Sequence, residues 1–322
     1  MKAIVYDRYG PPDVLKLEEV PTPSPTDEQV LIKIHAVSVN GSDREGLAGK
    51  PLYARVGGML KPGSRILGSD IAGTVERAGA NHTEFKPGDV VFGEIPGYRG
   101  GFAEYVCTHG RTLAHKPAGL SFEEAAAIPQ GGVIAWNAIC KIGHAAAGEQ
   151  VLINGAGGSA GTFAVQLAKQ AGAEVTGVDN AVKQDFMRSL GADHVLDYTR
   201  QNFTRIGQRF DLILDLIAHR SVFAVARALK PGGTYFFVGG SAGVLFQSLL
   251  LGPLIRRTRG VHVRLLMVPQ NRAYLLAITE RVETGEIKPV IDRRFPFEET
   301  PEAMRYVSEG LAKGKVVITI DE

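Results

Sequence analysis

The chain has 322 residues, of which 44% are apolar and 22% charged, and its net charge is +2. This length suffices for two medium domains, each with its own core. A nearly neutral chain has no strong field to attract nucleic acid or an anionic membrane, and no apolar run is long enough to span a bilayer. Cys107 and Cys140 lack metal-site spacing and are too few for a disulfide framework, which favours a reducing, cytoplasmic setting.

The first third of the chain consists of short alternating runs separated by glycine and proline clusters. The runs are KAIVY, EQVLIKIHAVSV, DIAGTVERAG, DVVFGEI and FAEYVCTH. Alternation of apolar and polar residues predicts strands, and glycine and proline clusters predict turns. We therefore expect a small, mostly antiparallel β-domain. Met1 is followed at once by strand-like residues and not by the pattern of a signal peptide, which also favours a cytoplasmic location.

From residue 121 onward, helical periodicity alternates with short buried strands. Ser121 and Glu124 have the spacing of a capping box at the start of the first helix. Six strands are predicted, at 150–155, 174–179, 194–198, 210–217, 232–240 and 261–268. Strands that alternate with helices build a parallel sheet, and six of them make the two halves of a doubly wound sheet. The apolar segment 244–255 is predicted to be a buried helix that breaks at its glycine and proline.

After Pro269 the sequence again resembles the first third of the chain more than the region between them. A helical stretch, NRAYLLAITERVETG, precedes a final strand, KVVITI, at 315–320. We expect one domain to comprise 1–124 and 270–322 and the other to comprise 125–269. A chain that leaves a domain and returns to it places a cleft between the two, and such clefts commonly bind ligands.

A glycine-rich loop follows the first strand of the second domain, in VLINGAGGSAGTFAVQLAKQ. The loop and the start of the next helix comprise Gly155, Gly157, Gly158, Ser159, Ala160 and Gly161. Glycines here allow a tight turn and let backbone N–H groups approach a pyrophosphate at the helix N-terminus. Because the strand, loop, helix and next strand form one βαβ unit, the pattern predicts a dinucleotide site. A methyltransferase could share this layout.

The residues leave the choice of dinucleotide open. Asp179 ends the second strand, where a carboxylate can accept ribose hydroxyls and would repel a 2′-phosphate, which favours NADH. Lys183 lies four positions later and could pair with that phosphate, which favours NADPH. Asp215, late in the predicted strand 210–217, could reach the cofactor or could have a structural role.

The whole chain resembles the medium-chain dehydrogenase/reductases, and within them the zinc-independent quinone oxidoreductases and enone reductases. The matching segments are MKAIVYDRYGPPDVLKLEEVP, LGSDIAGTVERAG, FKPGDVVFG, GGFAEYV, INGAGGSAGTFAVQLAKQAGA, SLGADHVLDYT, FDLILD, LKPGGTYFFVGG and GKVVITI. The resemblance implies an α/β protein with a GroES-like, β-rich catalytic domain plus a Rossmann domain with a doubly wound parallel sheet. It also implies that Lys183 and Tyr198 bind the adenosine phosphate, so the expected cofactor is NADPH or NADH.

The resemblance further implies that VSVNGSD and LGSDIAG face the active cleft. Zinc-dependent relatives have cysteine and histidine ligands where this chain has Asn40 and Ser69. An amide and a hydroxyl are poor zinc ligands, so no zinc is expected. Residues 40–43 alone are typical of a turn. With the resemblance, we expect Asn40, Ser42 and Asp43 to line the cleft and Gln130 to contact nicotinamide or substrate.

The chemistry that remains is hydride transfer from NADPH or NADH to a quinone or an α,β-unsaturated carbonyl. We expect Asn40 to donate a hydrogen bond to the carbonyl oxygen and Tyr53, or a water, to supply the proton, although Tyr53 could equally be a packing residue. Two alternatives stay open: a dinucleotide-binding protein with little turnover, either crystallin-like or a redox sensor, and an alcohol dehydrogenase. A homodimer through strand 261–268 is also expected.

Overall fold

The computed structural model describes residues 1–55 and 57–320. Residue 56, in the predicted domain segment 1–124, and residues 321–322, at the end of segment 270–322, lie outside the described residues. The chain divides into two compact units. The first comprises Met1–Gln130, Gln270–Gly285 and Pro289–Glu322, and the second comprises Gly131–Pro269 and Glu286–Lys288. Within the described ranges, no helix combines the length and the apolar character needed to cross a membrane.

The strands of the described residues are β1 (Lys2–Val5), β2 (Lys16–Glu19), β3 (Val30–Val39), β4 (Asp70–Ala78), β5 (Val90–Glu94), β6 (Tyr105–Thr108), β7 (Leu113–His115), β8 (Gln150–Asn154), β9 (Glu174–Asp179), β10 (His194–Asp197), β11 (Phe210–Asp215), β12 (Leu229–Phe237), β13 (His262–Leu265), β14 (Ile291–Pro296) and β15 (Lys315–Thr319). The α-helices are α1 (Gly41–Ala48), α2 (Phe122–Ala126), α3 (Pro129–Trp136), α4 (Ser159–Gln170), α5 (Gln184–Ser189), α6 (Val222–Arg227), α7 (Ala242–Arg259), α8 (Arg272–Glu283) and α9 (Thr300–Ser308).

The first unit is built on a seven-stranded sheet in the order β14-β15-β3-β4-β5-β7, with β6 also paired to β3. Its pairs are antiparallel apart from β14 with β15, which confirms the prediction of a mostly antiparallel first region. The C-terminal β15 pairs with β3, and Val316 lies opposite Val39. Ile32 and Ile34 of β3 are almost fully buried in the core, where truncation of either to alanine would cost about 2–5 kcal/mol.

The second unit contains a six-stranded sheet in the order β10-β9-β8-β11-β12-β13, and every adjacent pair in it is parallel. This order is that of a doubly wound sheet, with β8 at the point where the strand order reverses. The six predicted strands are confirmed, with ends that differ by up to three residues. Phe163, Val165 and Leu167 of α4 are buried. The apolar residues that predicted this helix are therefore the ones that pack in the core.

Helix α7 contradicts the prediction for residues 244–255. It runs unbroken through Pro253, and Phe246 and Leu250 are 60% and 74% exposed. The prediction of a buried, broken helix was therefore wrong. Proline removes one backbone donor from a helix interior, yet α7, which packs against β13, continues through Pro253.

The capping box at Ser121 is confirmed. The Ser121 hydroxyl accepts a hydrogen bond from the Glu124 N–H (3.2 Å), and the Glu124 carboxylate accepts one from the Ser121 N–H (2.9 Å). These reciprocal bonds satisfy two of the backbone donors that have no partner inside the helix, and so they fix the start of α2.

Candidate active site

The first candidate site lies at the carboxyl end of β8 in the second unit. Gly155 has a φ of +90°, a backbone conformation that glycine adopts without strain. A Cβ on Gly161 would lie 2.1 Å from the Gly155 carbonyl oxygen. Any residue with a side chain at position 161 would therefore push α4 away from the glycine loop. Gly158 is the N-cap of α4. Strand, glycine loop and helix N-terminus thus have the arrangement that binds a diphosphate through backbone N–H groups.

Asp179 and Lys183 lie against this loop. Asp179 Oδ2 accepts a hydrogen bond from the Gly157 N–H (3.0 Å), and its Oδ1 lies 3.5 Å from Lys183 Nζ. A Cβ on Gly157 would lie 2.7 Å from Lys183 Cδ, so the absence of a side chain there makes room for the lysine. The structure therefore brings together three residues that the sequence assigned to the cofactor.

Ser159, the first residue of α4, leaves a buried hydroxyl unsatisfied. Its Oγ has no hydrogen-bond partner within the described residues. Buried polar atoms are generally hydrogen-bonded, and a phosphate oxygen at the helix N-terminus would supply the partner. The glycine cradle and this hydroxyl fit the diphosphate of a dinucleotide.

Tyr198 and Asp215 lie near the same edge of the sheet in different environments. Tyr198 is 52% exposed, and its backbone N–H donates to the Asp179 carbonyl (3.1 Å). Asp215 is fully buried and accepts hydrogen bonds from Asn154 Nδ2 (2.7 Å) and the Tyr235 hydroxyl (3.1 Å). Burial raises the Asp215 pKa to about 6. Asp215 therefore joins the ends of β8, β11 and β12, and sequence reasoning did not identify Asn154 or Tyr235 as its partners.

The second candidate site is a buried polar cluster in the first unit, where β3 ends and β4 begins. Lys315 Nζ donates a hydrogen bond to Asn40 Oδ1 (2.7 Å) and lies 3.3 Å from Asp70 Oδ2. All three residues are at most 1% exposed. Lys315 was missed by the sequence analysis, although a lysine at the start of the apolar run KVVITI was a signal that could have drawn attention to it.

Residues 40–43 do not form the turn that their composition suggests. Asn40 caps α1, and its N–H donates to Asp43 Oδ2 (2.8 Å). Asp43 Oδ1 accepts from the Gly68 N–H (2.9 Å). The cap between Asn40 and Asp43 instead starts a helix directly after β3. Asp43 is fully buried, and burial raises its pKa to about 7.

Gln130 connects the other members of this cluster. Its Oε1 accepts from the Ser42 hydroxyl (3.1 Å), its Nε2 donates to Glu94 Oε1 (2.9 Å), and its backbone N–H donates to Asp70 Oδ2 (3.0 Å). Burial, reinforced by the Asp70 charge, raises the Glu94 pKa to about 8. The structure thus brings the predicted Ser42 and Gln130 together and adds Glu94, which the sequence analysis did not identify.

Tyr53 lies on a short 3-10 helix, Leu52–Arg55, and is partly buried. Its hydroxyl hydrogen-bonds the carboxylate of Glu45, a residue of α1. Burial raises the Glu45 pKa. Tyr53 is thus anchored to the helix that Asn40 caps.

The residues at the two zinc-ligand positions do not fit a zinc ion. Asn40 Oδ1 accepts from the Lys315 ammonium, and Ser69 Oγ lies 3.4 Å from Asp70 Oδ1. Zinc prefers thiolate, imidazole or carboxylate ligands, and a buried ammonium beside an amide oxygen would repel a dication. Across residues 1–55 and 57–320, no group of three or more His, Cys, Asp or Glu side chains is arranged to hold a metal.

Comparison with known proteins gives the family. A model described as alcohol dehydrogenase GroES-like domain matches residues 26–118, and one described as zinc-binding dehydrogenase matches residues 190–318. The mouse protein named NAD(P)H oxidoreductase RTN4IP1, mitochondrial, is 35% identical over 99% of this chain and 89% of its own length. This chain belongs to the medium-chain dehydrogenase/reductase superfamily. The resemblance and the fold class predicted from the sequence are confirmed.

Two further relatives place the chain within the superfamily. The tomato (Solanum lycopersicum) 2-methylene-furan-3-one reductase is 33% identical over 99% of this chain and 79% of its own length. The structure of the quinone oxidoreductase from Coxiella burnetii matches with a TM-score of 0.86 and 29% identity, and covers 100% of this chain and 99% of that one. This medium-chain dehydrogenase/reductase is therefore of the quinone oxidoreductase type.

Proposed function

We propose that this chain is an NAD(P)H-dependent oxidoreductase that transfers a hydride to a quinone or an α,β-unsaturated carbonyl compound without zinc. The observation that carries the proposal is the buried Asn40 amide, whose Nδ2 has no hydrogen-bond partner in the described part of the chain. An unsatisfied buried donor is costly, and a substrate oxygen would satisfy it. The names of the mouse and tomato relatives, an NAD(P)H oxidoreductase and an enone reductase, agree with this chemistry.

In this proposal each of the two units binds one of the two reactants. The second unit, which contains most of the predicted domain 125–269, binds the dinucleotide. The first unit, which contains the predicted segment 1–124 and most of the predicted segment 270–322, binds the acceptor. The residues that would hold the diphosphate are Gly155, Gly157, Gly158, Ser159, Ala160 and Gly161. The residues that would hold the adenosine end are Asp179, Lys183 and Tyr198. When bound, NADPH or NADH supplies a hydride from C4 of its nicotinamide ring.

Asn40 has the central role on the acceptor side. Its Nδ2 donates a hydrogen bond to the carbonyl oxygen, on which negative charge develops during reduction. Removing one such donor typically costs about 2.7–4 kcal/mol of transition-state stabilisation. Ser42, Asp43 and Gln130 line the acceptor site and hold its shape through the hydrogen bonds described above. Tyr53, or a water, supplies the proton that completes the reduced product.

Isotope transfer tests the proposed activity. The protein is incubated with NADH or NADPH deuterated on either face of C4 and with a small set of α,β-unsaturated ketones, and the product is examined by NMR. Deuterium on the β-carbon, from one face only, is the expected result. A parallel assay follows quinol formation from simple quinones. If the protein binds the cofactor but neither labels an enone nor reduces a quinone, the proposed function is wrong and a binding role with little turnover replaces it.

The absence of zinc from the reaction is a separate part of the proposal. It is supported by the donor chemistry of Asn40 and Ser69 and by the Lys315 ammonium between Asn40 and Asp70. Elemental analysis of the purified protein should give well under one zinc per chain, and a chelator should leave turnover unchanged. Stoichiometric zinc together with loss of activity in chelator would point instead to an alcohol dehydrogenase.

A homodimer and a cytoplasmic location complete the proposal. β13 is an edge strand, and α7, which packs on it, exposes Leu249, Leu250 and Leu254, so a second copy could extend the sheet and cover this apolar face. Sedimentation analysis of the wild-type protein and of Leu250→Glu tests the dimer. Cell fractionation tests the location, with mitochondria as the alternative because the mouse relative is named as mitochondrial.

A further inference from the structure

Lys315 is brought to Asn40 by the pairing of two strands that are far apart in the chain. Val316 of β15 lies opposite Val39 of β3, so Lys315 stands beside the residue that follows Val39. On the other side of β3, Ser38 pairs with Asp70, the first residue of β4. The ends of β15, β3 and β4 therefore place an ammonium, an amide and a carboxylate at one edge of the sheet.

The chemistry of the lysine decides which way the Asn40 amide faces. An ammonium has three donors and no acceptor, whereas an amide has an accepting oxygen at one end and a donating nitrogen at the other. The Asn40 Oδ1 must therefore face Lys315 Nζ, at 2.7 Å, because the reversed amide would set two donors against each other. This leaves Nδ2 as the end without a partner in the described residues. A charged donor on the oxygen also polarises the amide and strengthens its N–H donors.

Stability alone gives no reason for this arrangement. A buried ion pair generally adds little to folding, and apolar residues of similar volume often replace it at no cost. Here both Lys315 and Asp70 are fully buried, and Lys315 Nζ lies 3.3 Å from Asp70 Oδ2. The shorter hydrogen bond of Lys315, at 2.7 Å, goes to the neutral amide of Asn40 and not to the carboxylate. Asp70 balances the ammonium charge and also accepts from the Gln130 N–H at 3.0 Å.

We propose that Lys315 is a positioning residue that fixes the orientation of the Asn40 amide so that its Nδ2 donors face the substrate carbonyl oxygen. This inference rests on the proposed function of Asn40. Lys315 itself does not touch the substrate; it acts through Asn40. Asp70, whose Oδ2 lies 3.3 Å from Lys315 Nζ, helps to hold the lysine in place.

A kinetic double-mutant cycle tests the inference. We expect Lys315→Met to lower kcat by about 10- to 100-fold and Asn40→Ala by about 100-fold or more, with the dissociation constant of the dinucleotide unchanged in both. If Lys315 acts through Asn40, adding Lys315→Met to Asn40→Ala lowers kcat no further. Equal losses from Lys315→Met in both backgrounds would show an independent effect and overturn the proposal.

Asn40→Asp is the matched variant for the donor. It keeps an oxygen for Lys315 and the size of the side chain but removes the Nδ2 donors, so it should lose about 100-fold in kcat. Because it adds a buried carboxylate, thermal unfolding checks that the variant is folded. Lys315→Met leaves Asp70 as an unpaired buried carboxylate and could fail to fold for that reason. In that case the double variant Lys315→Met, Asp70→Asn, which lacks this charge, takes the place of Lys315→Met in the cycle.

A spectroscopic readout separates this inference from the proposed reaction. The side-chain amide signals of Asn40 in 15N-labelled protein, identified by their loss in Asn40→Asp, should move in Lys315→Met. Unchanged signals would overturn the positioning role whatever the enzyme does. Moved signals in a protein that transfers no hydride would uphold the fixed amide and reject the proposed function. Wild-type turnover in Asn40→Ala, with hydride transfer established, would reject the role of Asn40 and the part of the inference that depends on it.

Discussion

The Asp179 carboxylate and the Lys183 ammonium lie 3.5 Å apart, with side-chain exposures of 8% and 5%. The two residues favour different dinucleotides, since the carboxylate repels a 2′-phosphate and the ammonium attracts one. In the structure they neutralise each other, and Asp179 is also held by the Gly157 N–H. We therefore propose that this ion pair sets the balance between NADH and NADPH binding.

Asp179→Asn should shift the cofactor preference toward NADPH. It removes the repelling charge and frees Lys183 for the 2′-phosphate, so the ratio of kcat/KM for NADPH to that for NADH should rise about tenfold or more, equivalent to about 1.4 kcal/mol. Lys183→Met should lower the same ratio. Asp185→Asn, a nearby exposed carboxylate that pairs with Arg188, is the control and should leave it unchanged. An unaltered ratio in Asp179→Asn would show that the pair does not set the preference.

Gly161→Ala should damage the dinucleotide cradle. The added methyl would lie 2.1 Å from the Gly155 carbonyl oxygen and 2.6 Å from Ala156 Cα, so α4 must move away from the loop. We expect a loss of about 1–3 kcal/mol in the free energy of unfolding and at least about tenfold weaker dinucleotide binding.

Gly243→Ala is the control for this substitution. Gly243 lies in α7 of the same unit, and the nearest atom to its added methyl would be Ser241 Oγ at 3.9 Å. This variant should be as stable as the wild type or more stable by about 0.4–1 kcal/mol. Denaturant unfolding and calorimetric titration give both quantities. Equal behaviour of the two variants would mean that the close approach at Gly161 is unimportant.

Glu94 should make the stability of the protein depend on pH. Its pKa is raised from 4.5 to about 8 in the folded chain, so the folded state binds the proton more tightly than the unfolded state. The stabilising effect of this proton is fully present below about pH 4.5 and is lost as the pH rises through about 8. Asp70 and Lys315 are the charged groups that act on Glu94 from β4 and β15.

Glu94→Gln removes this titration while keeping the size of the side chain. The free energy of unfolding of the wild type, relative to Glu94→Gln, should fall by about 4 kcal/mol between about pH 5 and about pH 8.5. The other buried carboxylates, Asp43 and Asp215, are present in both proteins, so their effects cancel to a first approximation. Glu309→Gln, at an exposed position, should follow the wild type at every pH. A constant difference between wild type and Glu94→Gln would contradict the raised pKa.

The sequence by itself determined the local structure of the second unit. Apolar runs predicted the positions of the six parallel strands. The glycines around Gly155 indicated the turn between β8 and α4, because glycine alone tolerates both this turn and the close approach of α4 to the loop. In the first unit, too, Ser121 and Glu124 fixed the start of α2 through hydrogen bonds three residues apart. In each case the deciding interactions lie within a few residues, so a short stretch of sequence contains them.

The tertiary structure decided what the sequence could not. Lys315 and Asn40 are 275 positions apart and meet because β15 pairs with β3 in one register. Glu94 joins the same cluster through Gln130, and α7, which packs against β13, continues through Pro253. Such contacts depend on sheet register and packing, which are set by the whole fold and not by any local pattern. The environment of Asn40, and with it the orientation of its amide, is therefore a property of the folded sheet.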